Sequence, residues 1–190
     1  MRIEQDTKLD FKDVLFKPKR SKLESRRDVD LIRTYTFHNS KQEWKGVPIM
    51  ASNMDGVGTF EMAKVLQQEK MFTVIGKHHS VDDWKQAIGN GVNMKRISVC
   101  LGTSYIWDKE AADYMTAKTV LQMYPDIKFI CVDVANAYHE NFGDFIAHLR
   151  EEYPDKTIIA GNVVTAEMTE ELIIRGADIV KVGIGPGSVC

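Results

Sequence analysis

Short, continuous apolar runs recur along this chain at near-regular intervals, and that recurrence limits the fold more than any other feature of the sequence. They occupy residues 48–51, 72–75, 97–101, 128–134, 157–160 and 179–182, spaced by roughly 20 to 35 residues. Each run has the length of a buried strand, and each interval has room for one helix and two loops. The helices leave their own marks. Phe142, Phe145, Ile146 and Leu149 stand at i, i+3, i+4 and i+7 and form one apolar stripe. Ser80, followed by Asp82 and Asp83, opens a second helix with a cap and an acidic first turn. Thr165 with Glu167 starts a third, and Gly176 suits its exit.

Six strand-helix units with continuous rather than alternating apolar strands predict a parallel sheet covered on both faces. No G-x-G-x-x-G follows the first run, which argues against the open dinucleotide-binding sheet. Polar residues and glycines instead follow nearly every run, as they do where the loops of one barrel rim share a site. The predicted fold is α/β, a TIM-type (β/α)8 barrel. A whole barrel takes about 250 residues, so about six units in 190 residues predict an incomplete one. Residues 1–46 read as an N-terminal arm and hairpin, with the alternating Thr34-Tyr35-Thr36-Phe37 as one hairpin strand, and residues 47–190 as the partial barrel. Open sheet edges and exposed apolar faces are then expected, with poor stability or association.

Charge points to a small partner. Lys+Arg 25 against Asp+Glu 27 gives a net charge of −2, with no global field for nucleic acid or an anionic membrane. The basic run at 17–27 lacks interleaved aromatics and is partly offset by Glu24 and Asp28, which suits a solvated arm. No apolar stretch approaches the roughly 18 residues of a membrane span, and the polar start does not suit a signal peptide, so a cytoplasmic location is expected. The three cysteines, Cys100, Cys131 and Cys190, form no C-x-x-C pair and are expected to be reduced. Cys100 and Cys131 lie in apolar strands and read as small buried residues. His78 and His79 would point to opposite sides of an extended segment, with no carboxylate cluster after them to complete a metal site.

The richest chemistry closes the sequence. The run at 179–182 leads into Gly183, Gly185 and Gly187 at alternate positions, where absent side chains let carbonyls or amides converge on a ligand. Cys190 follows, a nucleophile if neighbouring dipoles or cations lower its pKa; by composition alone a cysteine there is more often incidental. Lys77 follows the second run, where a cation can meet a phosphate or simply face solvent. Asp133 ends a very apolar strand and needs a partner, either a ligand or a structural hydrogen bond.

Gly183-Ile184-Gly185-Pro186-Gly187-Ser188-Val189-Cys190 resembles the cysteine loop of the inosine monophosphate (IMP) dehydrogenase and guanosine monophosphate (GMP) reductase family. Leu9-Asp10-Phe11-Lys12-Asp13-Val14-Leu15, Asn53-Met54-Asp55, Val57-Gly58-Thr59-Phe60-Glu61-Met62-Ala63, Asp133-Val134-Ala135-Asn136 and Ala160-Gly161-Asn162-Val163-Val164-Thr165 resemble the same family in order. The interval from Ile75 to Ile97 has no room for the regulatory domains that its dehydrogenases usually insert. Residues 11–15, 18–21 and 58–62 also resemble the reductase branch more closely. That branch implies NADPH-dependent reductive deamination of GMP to IMP and ammonia: a thiolate attacks C2 of the purine, ammonia departs, and hydride resolves the covalent intermediate. By resemblance, Cys190 is the nucleophile, and the carbonyls of Gly185, Gly187 and Cys190 hold a potassium ion. Lys77, Asp133, Val134, Ala135, Ile184 and Gly185 match NADPH contacts, with Ser25 and Arg26 reaching a neighbouring subunit's NADPH in a homotetramer.

Some positions depart from the reductase pattern. Gly56 stands where the family has Thr, Gly76 and His79 replace His and Tyr around Lys77, and Ala137 replaces Gly. Ala137 is expected to be strained if its loop needs a positive φ. The family follows its cysteine with Thr-Thr-Arg, two further strands, phosphate loops and a flap bearing a catalytic Glu. A chain ending at Cys190 is expected to be inactive until completed. The alternatives are a non-catalytic remnant or assembly subunit, and an IMP dehydrogenase.

Overall fold

The apolar runs become consecutive strands of a single parallel sheet in the computed structural model, which describes residues 7, 9 and 11–185. An antiparallel hairpin, β1 (Arg33–Thr36) and β2 (Glu43–Gly46), comes first. Then follow β3 (Met50–Ala51), α1 (Phe60–Leu66), β4 (Phe72–Val74), α2 (Val81–Gly89) and β5 (Ile97–Leu101). After them come α3 (Ala112–Met123), β6 (Phe129–Asp133), α4 (Glu140–Glu152), β7 (Thr157–Val163), α5 (Ala166–Ile174) and β8 (Ile179–Val182). The sheet order is β3-β4-β5-β6-β7-β8 with every pairing parallel. An open doubly wound sheet reverses its strand order at a switch point, whereas this one never does, so the architecture is that of a curled partial barrel.

The helix signals act where the sequence puts them. Ser80 and Asp83 form a reciprocal capping box at α2, Thr165 accepts from the Met168 N–H at α5, and Gly176 leaves α5 at φ +114°. Phe142, Phe145, Ile146 and Leu149 are all buried on α4.

Two apolar layers divide the strand residues by parity. Ile97, Val99, Leu101, Ile130, Val132, Ile158 and Ala160 pack outward against the helices. Phe72, Val74, Cys100, Phe129, Cys131 and Ile159 fill the inner face, joined by Phe37 and Trp44 from the hairpin region. Phe72 and Phe129 begin their strands and meet edge to face at 4.7 Å. Phe37 packs on Phe129 at 5.7 Å and Trp44 on Phe72 at 6.1 Å, so the hairpin plugs the N-terminal end of the sheet. The Arg96 guanidinium lies 5.7 Å over Trp44 and donates to the carbonyls of Lys70 and Lys45, which fastens the plug from outside.

A buried carboxylate ties these parts together. Asp178 has a side chain 0% exposed, and its Oδ1 accepts from the Asn39 and Ser40 N–H groups at 2.8 and 3.0 Å. Its Oδ2 accepts from Arg150 Nη2 at 2.7 Å and the Ile158 N–H at 3.2 Å. Arg150 also donates to the carbonyls of Gly176 and Lys156. One carboxylate thus joins the hairpin region, α4, β7 and the start of β8.

The sheet stays open, as expected. β3 and β8 each have a strand neighbour on one side. An apolar cleft of 460 Å³ runs between Ile49 and Met50 at one edge and Asp178 and Ile179 at the other, with Phe37 and Trp44 in its lining. Beside the β8 edge, Val182 is 64% exposed and Ile174 75%. Residues 31–184 form one compact unit, and the described residues outside it belong to another. In the latter, Ser25 caps a short 3-10 helix, Arg26–Asp28.

Removing the Asp178 carboxylate takes from Arg150 its charged partner and leaves three backbone N–H groups without their acceptor. Asp178→Ala is expected to lower unfolding free energy by about 3 kcal/mol, read as a reduced urea midpoint.

Candidate functional site at the C-terminal rim

Parallel pairing in chain order brings the C-terminal ends of all six strands to one rim, where a closed polar triangle spans the inner face. Asn53 follows β3, Asp133 ends β6 and Lys181 lies in β8. Asn53 Nδ2 donates to Asp133 Oδ2 at 2.9 Å, and Lys181 Nζ donates to Asn53 Oδ1 at 3.1 Å and pairs with Asp133 Oδ1. The Asp133 and Lys181 side chains are only 28% and 24% exposed, so each needs the other for charge balance. Gly161 makes room for Lys181: a Cβ there would sit 2.6 Å from the Lys181 Cβ. Asn53 Nδ2 also approaches Cys100 Sγ at 3.3 Å, linking the triangle to the layer beneath.

The loops after β6 and β7 are stitched into one unit. Val134 N–H donates to the Gly161 carbonyl at 3.0 Å, Asn162 N–H to the Val134 carbonyl at 2.9 Å, and Ala137 N–H to the Asn162 carbonyl at 3.0 Å. Asn162 Nδ2 reaches the Gly183 carbonyl at 2.9 Å, which adds the start of the glycine loop. The Tyr138 hydroxyl accepts from the Val164 and Thr165 N–H groups at 3.0 and 2.9 Å and lies 3.0 Å from Thr165 Oγ1. The Thr165 hydroxyl and these N–H groups lower the phenol's pKa from its ordinary value.

Several residues singled out in the sequence meet at this rim. Asp133 has the partner its burial demands, and Val134 lies in the stitched turn with exposed Ala135 next to it. Lys77 is exposed after β4, and its Nζ is 3.4 Å from where a Gly102 Cβ would stand. Ile184, 42% exposed, follows β8. Gly183 and Gly185 have φ of +136° and +60°, the left-handed side that favours glycine. Ser25 and Arg26 lie in the other compact unit, where the Ser25 hydroxyl accepts from the Arg27 N–H. Gly187 and Cys190 lie outside the described residues.

Most of the departures have local explanations. Gly56 has φ +75°, which a Thr would adopt only with strain. Gly76 has 3.7 Å between its Cβ position and the nearest atoms, so a Cβ would fit and nothing in the structure explains the glycine. Ala137 is fully buried, and its φ is not positive, so the expected strain is absent. His79 packs against Phe60, with ring centroids 4.6 Å apart. Asn53, Asn162, Tyr138 and Lys181 were not singled out as site residues. The clearest signal was available for Lys181, a cation inside an apolar run opposite an acid that needed one.

A curled parallel βα sheet carrying its polar cluster at the strands' C-terminal ends defines a barrel of the enzyme-bearing kind. A family model described as the IMP dehydrogenase / GMP reductase domain matches residues 8–190, and the chain belongs to that family. It is 55% identical to the GMP reductase of Ascaris suum over all of this chain and 52% of that protein. Identity to GMP reductase 1 of Homo sapiens is 54%, over all of this chain and 53% of the relative. A GMP reductase of Escherichia coli is 55% identical, with coverage of 100% and 54%. The chain therefore spans about half the length of these curated relatives. The crystal structure of inosine 5′-monophosphate dehydrogenase from Legionella pneumophila superposes with a TM-score of 0.73 at 27% identity, over 96% of this chain and 52% of that one.

The Asp133–Lys181 pair should show energetic coupling. Lys181→Met alone strands the carboxylate and is expected to cost about 1–3 kcal/mol, and adding Asp133→Asn should recover part of that loss. A urea double-mutant cycle checks it; strictly additive effects would contradict the pairing.

Proposed function

We propose that this chain carries the cysteine-loop part of a GMP reductase, which converts GMP and NADPH, with two protons, to IMP, ammonium and NADP⁺. The observation that carries this reading is identity of 54–55% along the whole chain to proteins named GMP reductase, against 27% to the superposed dehydrogenase. The β4–β5 interval supports it: α2 and a short 3-10 helix, Met94–Arg96, occupy the stretch where a dehydrogenase would insert its regulatory domains.

In this reading Cys190 adds its thiolate to purine C2, the 2-amino group leaves as ammonia, and the thiolate departs when C2 is reduced. NADPH supplies the hydride. Two features of the rim support this reading. Lys77 is an exposed cation whose Nζ lies beside Gly102, and the hydrogen-bonded 133–137 turn would give the cofactor a fixed polar neighbour. Asp133 is held by Asn53 and Lys181 in one orientation, which sets where its remaining acceptor positions face. Ile184 and Gly185 would border the cofactor, and Ser25 and Arg26 would serve a neighbouring subunit in a homotetramer. Potassium would be held by the carbonyls of Gly185, Gly187 and Cys190; Gly185, at φ +60°, has the backbone freedom such convergence needs.

The open β3 and β8 edges favour activity in a completed barrel rather than in this chain alone. NADPH oxidation in the presence of GMP, followed by absorbance, tests both points. The 190-residue chain is expected to be silent, and the chain joined to a GMP reductase C-terminal half active. Cys190→Ala in the joined protein should reduce turnover about a thousandfold or more. Unchanged turnover would remove Cys190 from the chemistry, and a folded but inactive joined protein would favour a remnant.

A further inference from the structure

Two thiols that the proposed chemistry does not use lie together under the polar triangle. Cys100 on β5 and Cys131 on β6 are register partners on adjacent strands. Neighbouring strands lie about 4.8 Å apart, and residues directly opposite in a parallel pair project to the same face. Both side chains belong to the inner-face layer, and both cysteines are free and buried, Cys100 5% and Cys131 0% exposed. The neighbouring Cys100 thiol and burial keep the Cys131 pKa well above its ordinary value, so Cys131 is held as a neutral thiol. Asn53 Nδ2 contacts Cys100 Sγ at 3.3 Å from the polar triangle above.

A single buried cysteine is ordinary core. Two in register on adjacent strands and in one inner-face layer form a preorganised bidentate soft donor, the arrangement a small thiophilic centre needs in order to bind two sulfurs without backbone movement. We propose that Cys100 and Cys131 form a dithiol site for trivalent arsenicals. The step is a ligand exchange. Each thiol passes its proton to a hydroxyl on arsenic, two As–O bonds break, two As–S bonds form and two waters leave. Arsenic remains trivalent, and no electrons are transferred. Cys100, the less buried of the two, forms the first bond, and Cys131 closes the chelate. Because both thiols are buried, capture proceeds at the rate of local opening and is slower than reaction of a surface thiol. The proposal rests on the inner face of the sheet and stands whether or not the chain acts on GMP.

Phenylarsine oxide, one equivalent, is the probe, applied to the folded Cys190→Ser chain, in which Cys100 and Cys131 are the remaining cysteines. The expected intact mass shows one phenylarsenic bound, and thiol counting after unfolding falls from two to none. The adduct should survive excess 2-mercaptoethanol and be removed by 2,3-dimercaptopropanol, the behaviour of a chelate rather than of a single As–S bond. Cys100→Ser and Cys131→Ser, each added to Cys190→Ser, should lose the resistant adduct while far-ultraviolet circular dichroism shows that they remain folded. If either variant unfolds, thiol counts and monothiol resistance in the two-cysteine chain decide the matter alone. An adduct stripped by monothiol, one retained by a single-cysteine variant, or one formed only after denaturation would overturn the proposal.

Discussion

Parallel pairing in strict chain order is the constraint from which the other features follow. It requires a helix between each strand and the next, puts all helices on one face, and gathers six strand C-termini at one rim. It also exposes an inner face that must be filled from within. Aromatic side chains do this at the N-terminal end, where Phe72 and Phe129 receive Phe37 and Trp44. Small thiols and Ile159 fill the middle, and a neutralised polar triangle takes the C-terminal end. Polarity rises along the barrel axis from plug to mouth, and this gradient separates the end that stabilises from the end that can bind.

Buried carboxylates mark both ends. Asp178 is saturated by two backbone N–H groups from the hairpin region, a third from Ile158 and the Arg150 guanidinium, so its contribution is structural. Asp133 has fewer donors and retains exposure at the rim. The same residue type, each beside an apolar strand, serves as a clamp in one place and as an oriented acceptor in the other. What distinguishes them is the number of donors and the side of the sheet's end on which they lie.

Much of this was legible in the sequence because it depends on local chemistry. The six runs, the Ser80 and Thr165 caps, the Gly176 exit and the α4 stripe are each set by a few adjacent residues. Burial of Asp133 announced the need for a partner, yet Lys181 lies 48 residues away, and only strand curvature brings the two together. The same is true of Asn53, 80 residues from Asp133, and of the Cys100–Cys131 register. Ala137 marks a different limit. The expectation of strain there rested on assuming a left-handed loop, whereas hydrogen bonding to Asn162 gives the turn a conformation that alanine adopts freely.

The described rim carries a glycine-rich exit from β8, an oriented acid, an exposed lysine and a stitched turn. The proposal to be tested is that the completed barrel deaminates a guanine nucleotide reductively. GMP labelled with ¹⁵N at the 2-amino group, supplied with NADPH to the chain joined to a reductase C-terminal half, tests it most directly by mass spectrometry of nucleotide and ammonia. The account predicts unlabelled IMP and labelled ammonium in equal amounts, matched by the NADPH consumed. Retention of the label in the nucleotide, or conversion of IMP to xanthosine monophosphate with NAD⁺ instead, would contradict it.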